Sequence, residues 1–116
     1  MINFAVQIIE IVESLPKTFA GNNIAGQIVR SGTSPASNYG EAQSAESQKD
    51  FIHKMKIALK ELRETHIWLR IIEKRALIKT SNNLVNALSE CNELISIFVA
   101  SIATSRKKQN IKKRNK

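Results

Sequence analysis

The chain has 116 residues, the size of one domain, and its four Gly and two Pro are too few for a turn-rich β architecture. A single Cys excludes an intrachain disulfide and suits a reducing compartment. The net charge is +8, but seven of the 18 positives lie in residues 106–116; the other 105 residues hold eleven positives against ten acids, a net of +1. The basicity therefore belongs to a tail and not to the body.

The first predicted helix covers about Asn3–Ser14, with Ala5, Ile8, Ile9, Val12 and Leu15 on one face at i, i+3, i+4 spacing. Pro16 ends it, because proline lacks the N–H donor and restricts its predecessor. The stretch Lys17–Asn23, with Gly21, Asn22 and Asn23, reads as a connection. The second helix is predicted over Ile24–Gln43, with Ala25, Ile28, Val29, Gly32, Ala36 and Ala42 inward and Tyr39 nearby. Pro35 inside it predicts a kink or break near Ser31–Ser34.

The third helix is predicted over Gln48–Lys74. Ser47 to Asp50 forms a capping box with Asp in place of Glu, and Lys74 and Arg75 suit the C-terminal end of the dipole. Phe51, Met55, Ala58, Leu62, Thr65, Leu69, Ile72 and Ala76 alternate by four and three as a bundle seam. The fourth helix is predicted over Asn82–Ser105 behind a Thr80 or Ser81 cap, with a like seam of Leu84, Leu88, Cys91, Ile95, Phe98 and Ile102. Ala87, Leu94, Val85 and Val99 broaden that seam. The short third connection makes neighbours antiparallel. The expected fold is all-α, an antiparallel up-down-up-down four-helix bundle over residues 1–105 with its second helix kinked near Pro35 and a basic tail at 106–116.

Apolar residues exceed what one small core needs. Ile57, Trp68 and Ile71 lie off the main seam of the third helix and are assigned to an oligomer interface, since large apolar patches are seldom left in water. The apolar N-terminus carries Glu10 and Glu13 without a basic leader, and no window approaches the roughly 20 apolar residues of a membrane span. The expectation is a soluble cytoplasmic protein without a membrane partner.

The segments Ser31-Gly32-Thr33-Ser34, Asn38-Tyr39, Glu41-Ala42, Asp50-Phe51-Ile52-His53-Lys54, Ile57-Ala58-Leu59-Lys60-Glu61, Glu64-Thr65 and Trp68-Leu69 together carry a resemblance. So do Leu94-Ile95 and Val99-Ala100-Ser101-Ile102. In combination they resemble the bacterial four-helix bundle proteins known as 23S rRNA intervening-sequence proteins. That resemblance implies a left-handed bundle assembled as a homopentamer. The family is also similar to the accessory protein of diversity-generating retroelements, a basic pentameric barrel that binds a reverse transcriptase and nucleic acid. Where the family commonly has Arg in its Asn-Tyr-x-Glu-Ala segment, this chain has Gly40, so any contact made by that Arg is absent.

Arg30, Ser34, Asn38 and Glu41 fall near one line along the second helix, and Glu61 and Glu64, with Thr65 and His66, can meet them from the third. The set reads as a structural polar network that fixes register, ahead of a ligand site around Arg30. No catalytic constellation, cofactor motif or metal site is expected. A di-metal bundle site needs Glu-x-x-His, which is missing, and His53 and His66 stand thirteen residues apart, about 220° round a helix. Cys91 reads as a small core residue.

Arg106, Lys107, Lys108, Lys112, Lys113, Arg114 and Lys116 are the candidate nucleic-acid contacts. With no acid and no aromatic among them, they suit phosphates and not base stacking. In a pentamer, five tails of +7 each would gather about +35, with a large gain in avidity. Two readings stay open. One is a non-catalytic assembly that binds RNA or DNA. The other is a protein-interaction scaffold, for example an accessory subunit of a reverse transcriptase or ribonucleoprotein, whose tails only keep it soluble.

Overall fold

The computed structural model describes residues 1–79 and 81–115. They form four helices and, among the described residues, no strand: α1 (Ile2–Ser14), α2 (Phe19–Gln43), α3 (Gln48–Arg75) and α4 (Asn82–Arg114). α1 packs on α2 and α4, and α3 packs on α2 and α4, the arrangement of a bundle. The molecule is a rod of 58 × 20 × 20 Å.

Side-chain caps set three of the helix starts. Thr18 Oγ1 accepts from the Gly21 N–H at 3.0 Å, Ser47 Oγ from Asp50 N–H at 3.1 Å and Ser81 Oγ from Leu84 N–H at 3.4 Å. Thr80, the other candidate cap, lies outside the described residues, as does Lys116. The Thr18 cap moves the start of α2 five residues ahead of the predicted Ile24. The expected Gly21-Asn22-Asn23 connection is therefore helix. Gly21 is needed there because a Cβ would collide with the Pro16 carbonyl oxygen.

The core contains Phe4, Ile8 and Ile11 of α1, Ile28 of α2, Met55, Leu62 and Leu69 of α3, and Leu84, Cys91 and Phe98 of α4. The α3 seam is as expected from Met55 to Ile72, but Phe51 is only half-buried and Ala76 is an exposed left-handed C-cap with φ 53°. α1 is rotated from the expected face, with Phe4 and Ile11 inside and Ile9 outside. In α4, Ala87 is fully buried, while Leu88 and Ile95 are half-buried.

α2 differs most in kind. Its buried side includes Ser31, Gly32 and Pro35. Gly32 lets α1 approach closely: a Cβ there would stand 2.6 Å from Ile8 Cγ2 and 3.1 Å from Ile8 Cβ. Gly26 and Gly40 have nothing within 4 Å of such a Cβ, so they serve no packing need. The helix continues through Pro35 to Gln43. Thr33 and Ser34 hydroxyls donate to the carbonyls of Val29 and Arg30, four residues back.

Candidate functional site

Two surfaces carry the charged and polar side chains that the sequence singles out. The first is the seam between α2 and α3. Arg30 Nη2 donates to Glu64 Oε1 at 2.8 Å, and Asn38 Nδ2 donates to Glu61 Oε1 at 2.9 Å. Lys54 Nζ reaches Glu41 Oε2 at 2.7 Å. Ser34 does not cross the seam; its hydroxyl bonds the Arg30 carbonyl of its own helix. His66 is half-buried and has no side-chain hydrogen bond among the described residues. The two ion pairs are partly solvated, so each contributes on the order of 0–1 kcal/mol and serves mainly to fix how the helices meet.

Beneath this seam lies a buried pair. Thr65 Oγ1 is 2.9 Å from Ser31 Oγ and 2.8 Å from the Glu61 carbonyl oxygen, and both side chains are fully buried. Each hydroxyl has one proton. Both atoms are satisfied when Ser31 donates to Thr65 and Thr65 donates to the Glu61 carbonyl. Lys54 and Ser31 are the members of the seam that sequence reasoning missed. Lys54 stands seven residues before Glu61, one heptad earlier on the same helical line, and that spacing is the signal that could have found it.

The second surface is the basic C-terminal segment. α4 does not stop at Ser105 but runs on through Arg114, so Arg106, Lys107, Lys108, Lys112, Lys113 and Arg114 sit on regular helix and are exposed. Lys and Arg are good helix formers, and an existing helix needs only propagation to include them. Their charge also suits the negative end of the helix dipole. They do not share one face. Lys108 and Lys112 line a groove with the α2–α3 connection, beside Glu46 and Ser47. Arg106 lies instead in a groove between α3 and α4. None of the six forms an ion pair among the described residues.

The three proposed interface residues differ in exposure. Ile71 is exposed, Ile57 is half-buried, and Trp68 packs against the core with its Nε1–H buried and unpartnered. Ile71 joins Ile67, Arg70 and Lys74 on an outward patch of α3. Cys91 is fully buried, and its thiol donates to the Leu62 carbonyl at 3.3 Å. Burial, with the nearby Glu90 carboxylate, pushes that thiol up to about 12 from 9.0. Among the described residues, no three His, Cys, Asp or Glu side chains converge as metal ligands.

One part of α4 qualifies the expectation that no window approaches a membrane span. An 18-residue stretch is apolar enough, and poor enough in charge, to pass that test by length and composition, and 22% of it is buried within the chain. The core helix of a bundle passes the same test, and Leu84, Ala87, Cys91 and Phe98 of this helix are core. The outward remainder includes Val85, Ile97 and Val99.

An all-helical rod with a cross-linked polar seam and a basic helical end defines the class: a four-helix protein of bundle type. The chain belongs to the 23S rRNA-intervening sequence protein family, which it matches over residues 1–100. It is similar to the crystal structure of a protein of unknown function from the S23 ribosomal protein family of Bacteroides thetaiotaomicron VPI-5482, with TM-score 0.78 and 35% identity over 87% of this chain and 93% of that one. No curated protein matches the chain. The seam lies within the matched residues, and the basic segment from Arg106 onward lies beyond them.

Proposed function

We propose that this protein is a non-catalytic homo-oligomer, a pentamer of up-down-up-down bundles, that binds RNA or DNA through phosphates. The observation that carries the binding is the basic end of α4: six exposed cations on helix, with no acid among them and no ion pair among the described residues. Cations left free of partners are available to displace the counterions of a nucleic acid. Oligomer formation is supported by the apolar stretch of α4 that one chain leaves largely uncovered, and by exposed Ile71 on α3. The antiparallel order is supported by connections of four, four and six residues between successive helices. Pro35 supplies the distortion of α2, since the Ser31 carbonyl loses the N–H four residues ahead.

The seam between α2 and α3 is architectural in this reading, and Ile57, Trp68 and Ile71 belong to the subunit contact. The protein acts in the cytoplasm without a membrane. Deleting residues 106–116 tests the binding. The full chain binds structured RNA at 50–100 mM salt, a regime in which basic proteins hold nucleic acid, and the truncated chain binds far more weakly. Equal binding by the two chains would remove the tail from the interface. The same exposed apolar residues favour a second reading, a scaffold for a reverse transcriptase or ribonucleoprotein. Nucleic-acid binding that is absent in the full chain would select it.

A further inference from the structure

The outward side of α3 carries a second basic feature that lies away from the tail. Lys49, Lys56, Lys60, Arg63, Arg70 and Lys74 fall on one line, spaced in steps of three, four or seven residues. His53 and Ile67 complete the series, and all eight are exposed. The line contains no acid. It spans 25 residue steps, about 38 Å at 1.5 Å per residue.

A solvated helix face ordinarily mixes signs, because opposite charges at i, i+4 stabilise and like charges destabilise by about 0.2–0.5 kcal/mol each. Here Lys56–Lys60, Lys60–Arg63 and Arg70–Lys74 are like-charged neighbours at those spacings. The two ion pairs among the described residues, Arg30–Glu64 and Lys54–Glu41, use none of these cations. The acids of α3 that do pair, Glu61 and Glu64, turn to the α2 side. Glu61 and Glu64 are thus engaged with α2, while the basic line forms no ion pair among the described residues; the exposed Glu73 lines a groove with Arg70 and Lys74 at the C-terminal end of the line.

The basic edge is also shaped. Lys56 and Arg63 of α3 line a groove of about 270 Å³ together with Arg106 of α4, and Leu59, Val99 and Ile102 line it as well. Three cations thus border one trough, which joins the line on α3 to the start of the basic segment of α4.

We infer that the outward edge of α3 from Lys49 to Arg63, with Arg106, is a track for the phosphodiester backbone of a nucleic acid, the Ile67–Lys74 end of the line lying beside the Ile71 subunit contact. It rests on the nucleic-acid reading above, and extends the contact onto the bundle, where the α3 cations lie within the family-matched residues and Arg106 lies beyond them. B-form DNA presents one charge per about 1.7 Å of axis, so a straight line of this length meets many phosphates. The trough continues the contact of the basic end of α4 onto the bundle.

The test uses the full chain with a labelled DNA duplex and a labelled RNA hairpin, titrated at several salt concentrations. The variant K56Q/K60Q/R63Q is compared with K17Q/R75Q/K79Q, which removes the same charge from exposed positions off the line. At 0.1 M salt each lost phosphate contact costs up to about eightfold, so the first variant is expected to bind at least about thirtyfold more weakly, with a salt slope shallower by about 2–3. The second is expected to stay within about threefold of the parent. Helicity and light-scattering mass are expected to be unchanged in both.

Equal losses in the two variants would overturn the track and leave only bulk charge. A changed mass in the first variant would overturn it in favour of a subunit contact. Loss on tail deletion, with the first variant behaving as the second, would keep the tail reading and overturn the track. No binding by the parent chain to either probe would overturn both.

Discussion

Gly32→Ala measures how closely α1 and α2 approach. In a helix, replacing Gly by Ala is favourable by about 0.5–1 kcal/mol when the new methyl meets nothing. At Gly26 nothing lies within 4 Å of a built Cβ, so Gly26→Ala is expected to stabilise by about that amount. At Gly32 the same methyl would stand 2.6, 2.9 and 3.1 Å from Cγ2, Cγ1 and Cβ of Ile8, which is fully buried. Ile8 cannot turn aside, because a β-branched side chain in a helix has essentially one χ1 rotamer and its Cβ is itself too close. The overpacking costs about 1–3 kcal/mol. The two variants share the propensity gain, so their difference isolates the contact at about 1–3 kcal/mol, with Gly32→Ala the less stable. Urea unfolding at one fixed protein concentration reads this as a difference of about 0.5–3 M in midpoint if m stays near 1–2 kcal/mol/M. In an Ile8→Ala background the clash is gone, and Gly32→Ala is expected to turn stabilising. If Gly32→Ala stabilises the parent chain as much as Gly26→Ala does, the close approach of α1 on α2 is wrong.

Thr65→Val leaves the buried Ser31 hydroxyl without its partner and is expected to cost about 1–3 kcal/mol in denaturant unfolding. Adding Ser31→Ala should recover part of that loss, and simple additivity in the double-mutant cycle would refute the coupling. The Cys91 thiol, pushed up to about 12, is expected to resist thiol reagents at pH 8 in the folded protein and to react at once in denaturant. Its folded value lies above the unfolded one, so its contribution is complete below pH 9 and is lost as pH rises from 9 toward 12. A stability that rises over that window would contradict the assignment. Ile71→Glu, at an exposed site, is expected to lower the light-scattering mass without loss of helicity; an unchanged mass would take Ile71 out of the subunit contact.

The helices were legible because long apolar seams at steps of three and four have few alternative readings, and α3 shows this from Met55 to Ile72. α1 was legible as a helix but not in rotation. Ile8, Ile9, Ile11 and Val12 fit two overlapping faces, and only the packing of Phe4 and Ile11 on the other helices decides between them. Ser31 and Pro35 were not legible as core, because their burial follows from the close approach at Gly32 and from the Thr65 partner on another helix. The basic segment reads as a solvated run in isolation; the helix that precedes it carries it on to Arg114. Spacing aligns Arg30, Asn38 and Glu41 on α2 and, by one heptad from Glu61, Lys54 on α3, but which of them pair, and that Ser34 bonds its own helix instead, follows from the geometry of the seam.

The central claim is that the protein holds nucleic acid by phosphates. Fluorescence anisotropy of a labelled structured RNA with the full chain, from 50 to 200 mM salt, tests it most directly. A protein making about four phosphate contacts is expected to lose at least fiftyfold in affinity over that range, with log K falling linearly in log salt at a slope of about −3 to −4. Absence of binding at 50 mM, or an affinity indifferent to salt, would contradict the claim.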